Sequence, residues 1–266
     1  MSASPVADIE SARRREDVLR ELNLYPLWQR RNATIAANGG EAVLETPVPV
    51  ARAESRIAQQ VIIEDQSDDC SNLDWPALKK RVKNCSACAL RAGSTQTVFG
   101  SGDVKADWMF VGSWPTEDDD VQGEPFAGQA GQLLDNMLAA IKLKRSINVY
   151  LSNIVKCTGS ITRGPQADQI ARCAPYLARQ IQLIQPKIIV ALGHAAATAL
   201  LGDDREWSSL LGKVHEYRGK EKNNLQSPIP LIITHHPAAL LLSPLNKAQT
   251  WRDLCLARDV MQKTGS

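Results

Sequence analysis

Four short apolar segments constrain the fold of this 266-residue chain more than any other feature. The predicted strands cover residues 107–112, 149–155, 187–193 and 230–234. Segments with helical periodicity alternate with them, at 129–143, 166–184, 194–201 and 248–262. Strands that are apolar throughout and alternate with helices are typical of a parallel sheet covered on both faces. We therefore expect an α/β fold with three αβα layers and a central parallel sheet.

Ligands in such sheets bind where the parallel strands end. The loops at that edge are predicted at 112–128, 153–165 and 234–245. Glycines, an aromatic ring, an amide and paired histidines occur in these loops, so we expect the functional site there.

Composition divides the chain into three parts. Residues 1–31 include a charged helical pattern with one apolar face, and 32–74, rich in Ala, Pro, Glu and Asp, are interpreted as a flexible linker. Residues 75–266 form the predicted globular domain.

Charge and hydropathy limit the possible partners and compartment. Lys and Arg total 31 against 29 Asp and Glu, a net charge of +2, so any DNA contact must come from a local patch. No apolar run of about 18 residues occurs, so we expect no membrane partner. The first residues lack the apolar core of a secretory signal, so we expect a cytoplasmic protein. Six cysteines in a reducing compartment indicate metal or cluster ligation.

Four of these cysteines have ligand-like spacing. Cys85 and Cys88 have two residues between them, and Cys157 and Cys173 have fifteen. Four thiolates can hold a tetrahedral zinc ion or an iron–sulfur cluster, and spacing alone does not separate the two. The alternative is that all four are small buried apolar residues.

Several motifs, taken in order, resemble the iron–sulfur branch of the uracil-DNA glycosylase superfamily over about residues 80–262. The cysteine motifs read Asn84-Cys-Ser-Ala-Cys88, Asn153-Ile-Val-Lys-Cys157 and Arg172-Cys173. The loop motifs read Gly123-Glu-Pro-Phe-Ala-Gly-Gln-Ala-Gly-Gln-Leu-Leu134 and Thr234-His-His-Pro-Ala-Ala-Leu-Leu-Leu242.

The resemblance implies roles for individual residues. A structural 4Fe–4S cluster would be held by Cys85, Cys88, Cys157 and Cys173. The partner would be DNA, either single-stranded or uracil-containing. An extruded base would stack on Phe126 and be bound by Gly112 and Asn153, and His236 would stabilise the departing uracil anion. Without the resemblance, Phe126 is more typical of a core aromatic, and Asn153 of a turn residue or cap.

The first family motif is where the match fails. The family has Gly-Glu-Ala/Gly-Pro-Gly, whereas this chain has Gly112-Ser-Trp-Pro-Thr116. Ser113 therefore replaces a carboxylate and Trp114 a small residue. We expect an acidic residue of 117–120 to substitute, with Glu117 as the leading candidate. Leu242 likewise replaces an arginine that would contact phosphate.

The N-terminal part resembles a different protein, the psi subunit of the bacterial DNA polymerase III clamp loader. Leu22, Leu24, Trp28, Arg30 and Arg31 carry this resemblance. It implies docking on the clamp-loader collar and a connection to the chi subunit. Two hypotheses follow: a psi-like replication accessory protein on a lapsed glycosylase fold, or an active uracil-DNA glycosylase.

Overall fold

The computed structural model of the chain describes residues 70–159, 164–219 and 227–264. The helices are α1 (Trp75–Lys83), α2 (Glu117–Gln122), α3 (Gln129–Ala140), α4 (Ala167–Ile184), α5 (His194–Leu201), α6 (Trp207–Leu210), α7 (Pro237–Leu242) and α8 (Lys247–Thr264), with 3-10 turns at Ala89–Gly93 and Pro244–Asn246. The strands are β1 (Ser101–Gly102), β2 (Trp108–Gly112), β3 (Val149–Asn153), β4 (Ile188–Leu192), β5 (Val214–Tyr217) and β6 (Ile229–Thr234).

The strands form one sheet in the order β1-β3-β2-β4-β6-β5. The four central strands are parallel, which confirms the predicted α/β class. The sheet is nevertheless mixed, because β1 and β5 pair antiparallel at its two edges. Sequence patterns did not predict these strands, since β1 has only two residues and β5 is mostly exposed.

Alternate residues of the central strands pack on opposite faces of the sheet. In β2, Met109 and Val111 join a core with helices α4 and α5, whereas Trp108 and Phe110 join a second core with α3, α7 and α8. Every residue of β2, β3 and β4 is buried. This double burial explains why the strands are apolar throughout, and it produces the predicted three layers.

The observed strand ends determine which residues reach the functional edge. β3 ends at Asn153, two residues earlier than predicted, and the N–H of Ile154 donates to the Gly112 carbonyl at 3.0 Å. Asn153 therefore stands at the carboxyl end of its strand, directly beside the end of β2.

The predicted docking peptide at 1–31 and most of the predicted linker at 32–74 lie outside the described residues. Among the described residues, no helix combines the length and apolarity needed to span a membrane.

Candidate functional site

The loops at the carboxyl ends of β2 and β6 enclose a cavity of about 380 Å³, part of it open to solvent. Its wall comes from three places: the start of α2, the loop leading into α3, and the start of α7. The lining residues are Trp114, Thr116, Asp118, Asp119, Phe126, Gly128, Gln129, Ala130 and His236.

Phe126 forms one wall of this cavity in a strained backbone conformation. Its φ of 59° lies in the left-handed region, and its side chain is 6% exposed. Arg145 holds the segment, because its guanidinium donates to the carbonyls of Pro125 at 3.0 Å and Phe126 at 3.1 Å. Asp135 orients the same guanidinium through an ion pair of 2.8 Å. The ring is thus fixed by backbone contacts, and it lies 5.7 Å from the His236 ring.

Gly112 lets the Phe126 ring and the Asn153 amide approach the end of β2. A Cβ at Gly112 would lie 2.5 Å from Phe126 Cζ and would collide with Asn153 Oδ1. Asn153 is 2% exposed, and its buried Oδ1 has no hydrogen-bond partner among the described residues. An unpaired buried acceptor costs about 1–3 kcal/mol. Asn153 does not itself line the cavity, but its Oδ1 lies beside the Phe126 ring that does. An unpaired buried acceptor in this position is typical of a group that awaits a donor from a ligand.

His236 is the N-cap of α7, and this position fixes its tautomer. Nδ1 accepts a hydrogen bond from the Ala238 N–H at 3.2 Å, so the proton of the neutral ring is on Nε2. Burial lowers the pKa of His236 to about 4, although the nearby Asp119 carboxylate acts in the opposite direction. At neutral pH the ring is therefore an uncharged hydrogen-bond donor.

The carboxylates of the acidic stretch at 117–120 differ in their contacts. Asp119 completes a capping box with Thr116 and accepts from the Ala127 N–H at 2.7 Å, so its two oxygens fix the loop beside Phe126. Asp118 lines the cavity, packed against Gly128. Glu117 is exposed and is absent from the cavity wall.

A second cavity, of about 370 Å³ including open solvent, is lined by Cys85, Cys88, Cys157 and Cys173. Burial, together with the neighbouring Cys88 and Cys85 thiols, raises the pKa of Cys157 to about 11. No three Cys, His, Asp or Glu side chains among the described residues converge closely enough for a single metal ion. Four thiols that line one shared space are the donor set of an iron–sulfur cluster.

Comparison with known families matches residues 99–257 to the model described as the uracil DNA glycosylase superfamily. The chain belongs to this superfamily. The match spans every central strand, the Phe126 loop and His236, so it covers both sides of the first cavity.

Within the superfamily, the chain resembles type-4 uracil-DNA glycosylases. It is 34% identical to the type-4 enzyme of Pyrobaculum aerophilum over 190 residues, 69% of this chain and 93% of that one. It is also 34% identical to the Thermotoga maritima enzyme over 192 residues, 71% of this chain and 95% of that one. With the Archaeoglobus fulgidus enzyme, identity is 38% over 169 residues, 62% of this chain and 82% of that one.

The departures from the family motif occupy defined places in the structure. Ser113, which stands where the family has a carboxylate, is 7% exposed and does not line the cavity. Trp114 does line it, and its ring lies close to Gly164. The cavity therefore has a second aromatic wall, and the end of β2 lacks the acidic group of the family motif.

The structure brings together most of the predicted site residues. Phe126, Gly112, Asn153 and His236 surround one site, and the four cysteines surround another. Glu117 does not lie in either of these two sites. The predicted partner-binding residues Leu22, Leu24, Trp28, Arg30 and Arg31 lie outside the described residues.

Sequence reasoning missed three residues of the sites. Arg145 reaches Phe126 from a separate loop, and no motif marks it. Asp118 was one of the acidic candidates at 117–120, but Glu117 was preferred to it. Lys156, between Asn153 and Cys157, carried the only available signal, because a lysine that ends an apolar strand is unusual.

The lowered pKa of His236 predicts an effect on acid stability. Between pH 6.5 and about 4 the unfolded chain binds a proton that the folded chain does not, so the unfolding free energy falls as the pH drops through this window. The His236→Gln variant should lack that component, which we expect to be on the order of 1–2 kcal/mol. Urea unfolding at pH 7.5 and pH 5 measures it, with His194→Gln as the exposed control. Equal pH dependence in the wild type and His236→Gln would contradict this account.

Proposed function

We propose that this protein binds a uracil extruded from DNA and hydrolyses its N-glycosidic bond. The observation that carries the proposal is the buried, unpaired Oδ1 of Asn153 beside the Phe126 ring. Uracil presents an N3–H at the edge that would face this oxygen, whereas cytosine presents an acceptor there. Asn153 would thus accept a hydrogen bond from uracil and disfavour cytosine.

His236 would act on the leaving group. When the bond between C1′ and N1 breaks, the electron pair passes to uracil and negative charge grows on its O2. The Nε2–H of neutral His236 would donate a hydrogen bond to that charge, which lowers the barrier more than it stabilises the substrate. A water oxygen then bonds to C1′, and its proton leaves to solvent or to a carboxylate.

Asp118 is the carboxylate best placed for that last role. It shares the cavity wall with His236 and Phe126, whereas Ser113 and Glu117 do not line the cavity. Asp119 also lines it, but both of its oxygens already accept backbone hydrogen bonds, from Thr116 and Ala127. A carboxylate near C1′ would orient the water and stabilise an oxocarbenium-like centre.

The exposed leucines after His236 would contact the DNA. Leu242 is 86% exposed and Leu245 is 94% exposed, and Trp251 on α8 is also exposed. Exposed apolar side chains beside a base pocket are typical of wedges that enter a base stack. They would fill the space that the extruded nucleotide leaves.

The cysteine cavity would hold a 4Fe–4S cluster, with Cys85, Cys88, Cys157 and Cys173 as ligands. The support is the four-thiol donor set in the structure together with the similarity to type-4 enzymes. The cluster would join the segment after α1 to the end of β3 and to α4, so its role would be to stabilise the fold around Asn153.

The proposed activity predicts release of uracil from a single-stranded uracil-containing oligonucleotide. His236→Ala should lower the single-turnover rate by roughly 100-fold or more. Asp118→Asn should lower it by at least about tenfold, whereas Glu117→Gln, at the next position on the same helix, should retain the wild-type rate. A wild-type protein with intact cysteines that releases no uracil would overturn the proposed reaction.

The proposed cluster predicts a defined loss of iron. Cys173→Ser should reduce the iron and acid-labile sulfide content of anaerobically purified protein and abolish its brown colour. Cys255→Ser changes a cysteine outside the cavity and should retain both. Equal iron content in the two variants, or zinc in the wild type, would refute this ligand set.

A second candidate function is a psi-like accessory role in the clamp loader. Ser113 and Trp114 favour it, because a site without its usual carboxylate and with an added ring could have lost its chemistry. Residues 13–31 would then dock on the clamp-loader collar, with the chi subunit as a further partner. The matched type-4 relatives and the intact Phe126, Asn153 and His236 support this role less well than they support glycosylase activity.

The docking role predicts that the full chain is retained on immobilised clamp-loader collar. Trp28→Ala should abolish retention, since buried tryptophans are common anchors at interfaces. Trp251→Ala, which removes an exposed tryptophan of the globular domain, should leave retention unchanged. Retention that survives Trp28→Ala would argue against this peptide as the contact.

A further inference from the structure

Lys156 is a fully buried cation in the segment between the two sites. Its side chain is 1% exposed and lies just past the end of β3. Nζ donates three hydrogen bonds, to Ser152 Oγ at 2.6 Å, to the Asn153 carbonyl at 2.9 Å and to Gln180 Oε1 at 2.8 Å. All three acceptors are neutral. Hydrogen bonds to neutral groups do not by themselves offset the desolvation of a full charge.

No carboxylate among the described residues forms an ion pair with Lys156, so another group must supply the compensating negative charge. None of the ion pairs formed within the described ranges includes Lys156. Lys156 does line the cysteine cavity together with Cys157 and Cys173. Thiolates that ligate a cluster in this cavity would supply the missing negative charge.

The same network fixes the backbone of the base-reading residue. Gln180 also donates to the Phe99 carbonyl at 2.9 Å and to the Tyr150 hydroxyl at 3.2 Å, so it is held on the opposite side from Lys156. Because the Gln180 side chain is held in place, it orients the Lys156 ammonium toward the Asn153 carbonyl. Its position therefore determines how the end of β3 presents the Asn153 side chain.

We propose that Lys156 is a positioning residue that couples occupancy of the cysteine cavity to the reading of the base by Asn153. The proposal rests on the proposed function, because it assumes that Asn153 reads uracil. A filled cavity holds the ammonium against the Asn153 carbonyl. When the cysteine cavity is empty, the Lys156 ammonium has no counter-charge, and the end of β3 is no longer held in place. Occupancy of the cysteine cavity thus affects the discrimination between uracil and cytosine, although this cavity does not contact the base.

The experiment compares Lys156→Met, which keeps the length of the side chain without its charge, with Lys213→Met at an exposed site. Fluorescence anisotropy gives the affinity for two single-stranded oligonucleotides, one with 2′-fluoro-2′-deoxyuridine, which resists hydrolysis, and one with cytosine. Loss of visible absorbance in a chelator gives the rate of iron release. For Lys156→Met we expect about a tenfold smaller preference for uracil, unchanged affinity for the cytosine strand and iron release about tenfold faster. Lys213→Met should match the wild type.

Three outcomes would overturn the coupling. They are an unchanged preference for uracil in Lys156→Met, an equal loss of affinity for both strands, and an unchanged rate of iron release. A wild-type protein without any preference for uracil overturns the proposed function and the coupling together, so the two failures are distinguishable. If Lys156→Met does not fold, Ser152→Ala removes one acceptor of the ammonium and should reduce the preference in the same direction. An unchanged preference there would also overturn the coupling.

Discussion

The parallel pairing of β2 with β3 places Gly112 directly opposite Asn153, and the whole candidate site depends on this register. Because residue 112 has no side chain, the Asn153 amide and the Phe126 ring can both approach the end of β2. A slip of one residue would turn Asn153 to the other face of the sheet. The buried apolar residues of both strands specify the register, so the packing of the core also positions the site.

Neighbouring side chains and backbone groups hold Phe126 and His236 in place. Arg145 fixes the strained backbone at Phe126, and Asp119 fixes the loop next to it through the Ala127 N–H. His236 owes its tautomer to the first turn of α7. Such support keeps the Phe126 ring and the His236 imidazole oriented before any ligand arrives, which is the arrangement that favours transition-state binding.

The sequence predicted the parts of the fold that local pattern controls. Residues buried on both faces make β2, β4 and the first three residues of β3 apolar, and α5 begins and ends where its alanine-rich pattern does. The edge strand β5 lacks this pattern, because its pairing with β6 is a tertiary contact and most of its side chains are exposed. Phe126, Asn153 and His236 were found through resemblance to a family, since none of them has a distinctive local signature.

The choice among the acidic residues could not be made from sequence. Adjacent positions in a helix point about 100° apart, so Glu117 and Asp118 face different surroundings although they are neighbours in the chain. Thr116 caps α2, and in the resulting helix Asp118 borders the cavity although it is exposed, whereas Glu117 does not border it. The role of Arg145 could not be predicted from sequence either, because the three carbonyls that it contacts belong to residues 14 to 20 positions away.

The central claim is that the cavity between Phe126 and His236 receives an extruded uracil. A crystal structure of His236→Ala bound to a single-stranded uracil-containing oligonucleotide tests it most directly, because this variant should bind the base without releasing it. We expect the uracil ring against Phe126, with its N3 within hydrogen-bond distance of Asn153 Oδ1. A base left in the strand, with the Trp114 ring filling the cavity, would contradict the account.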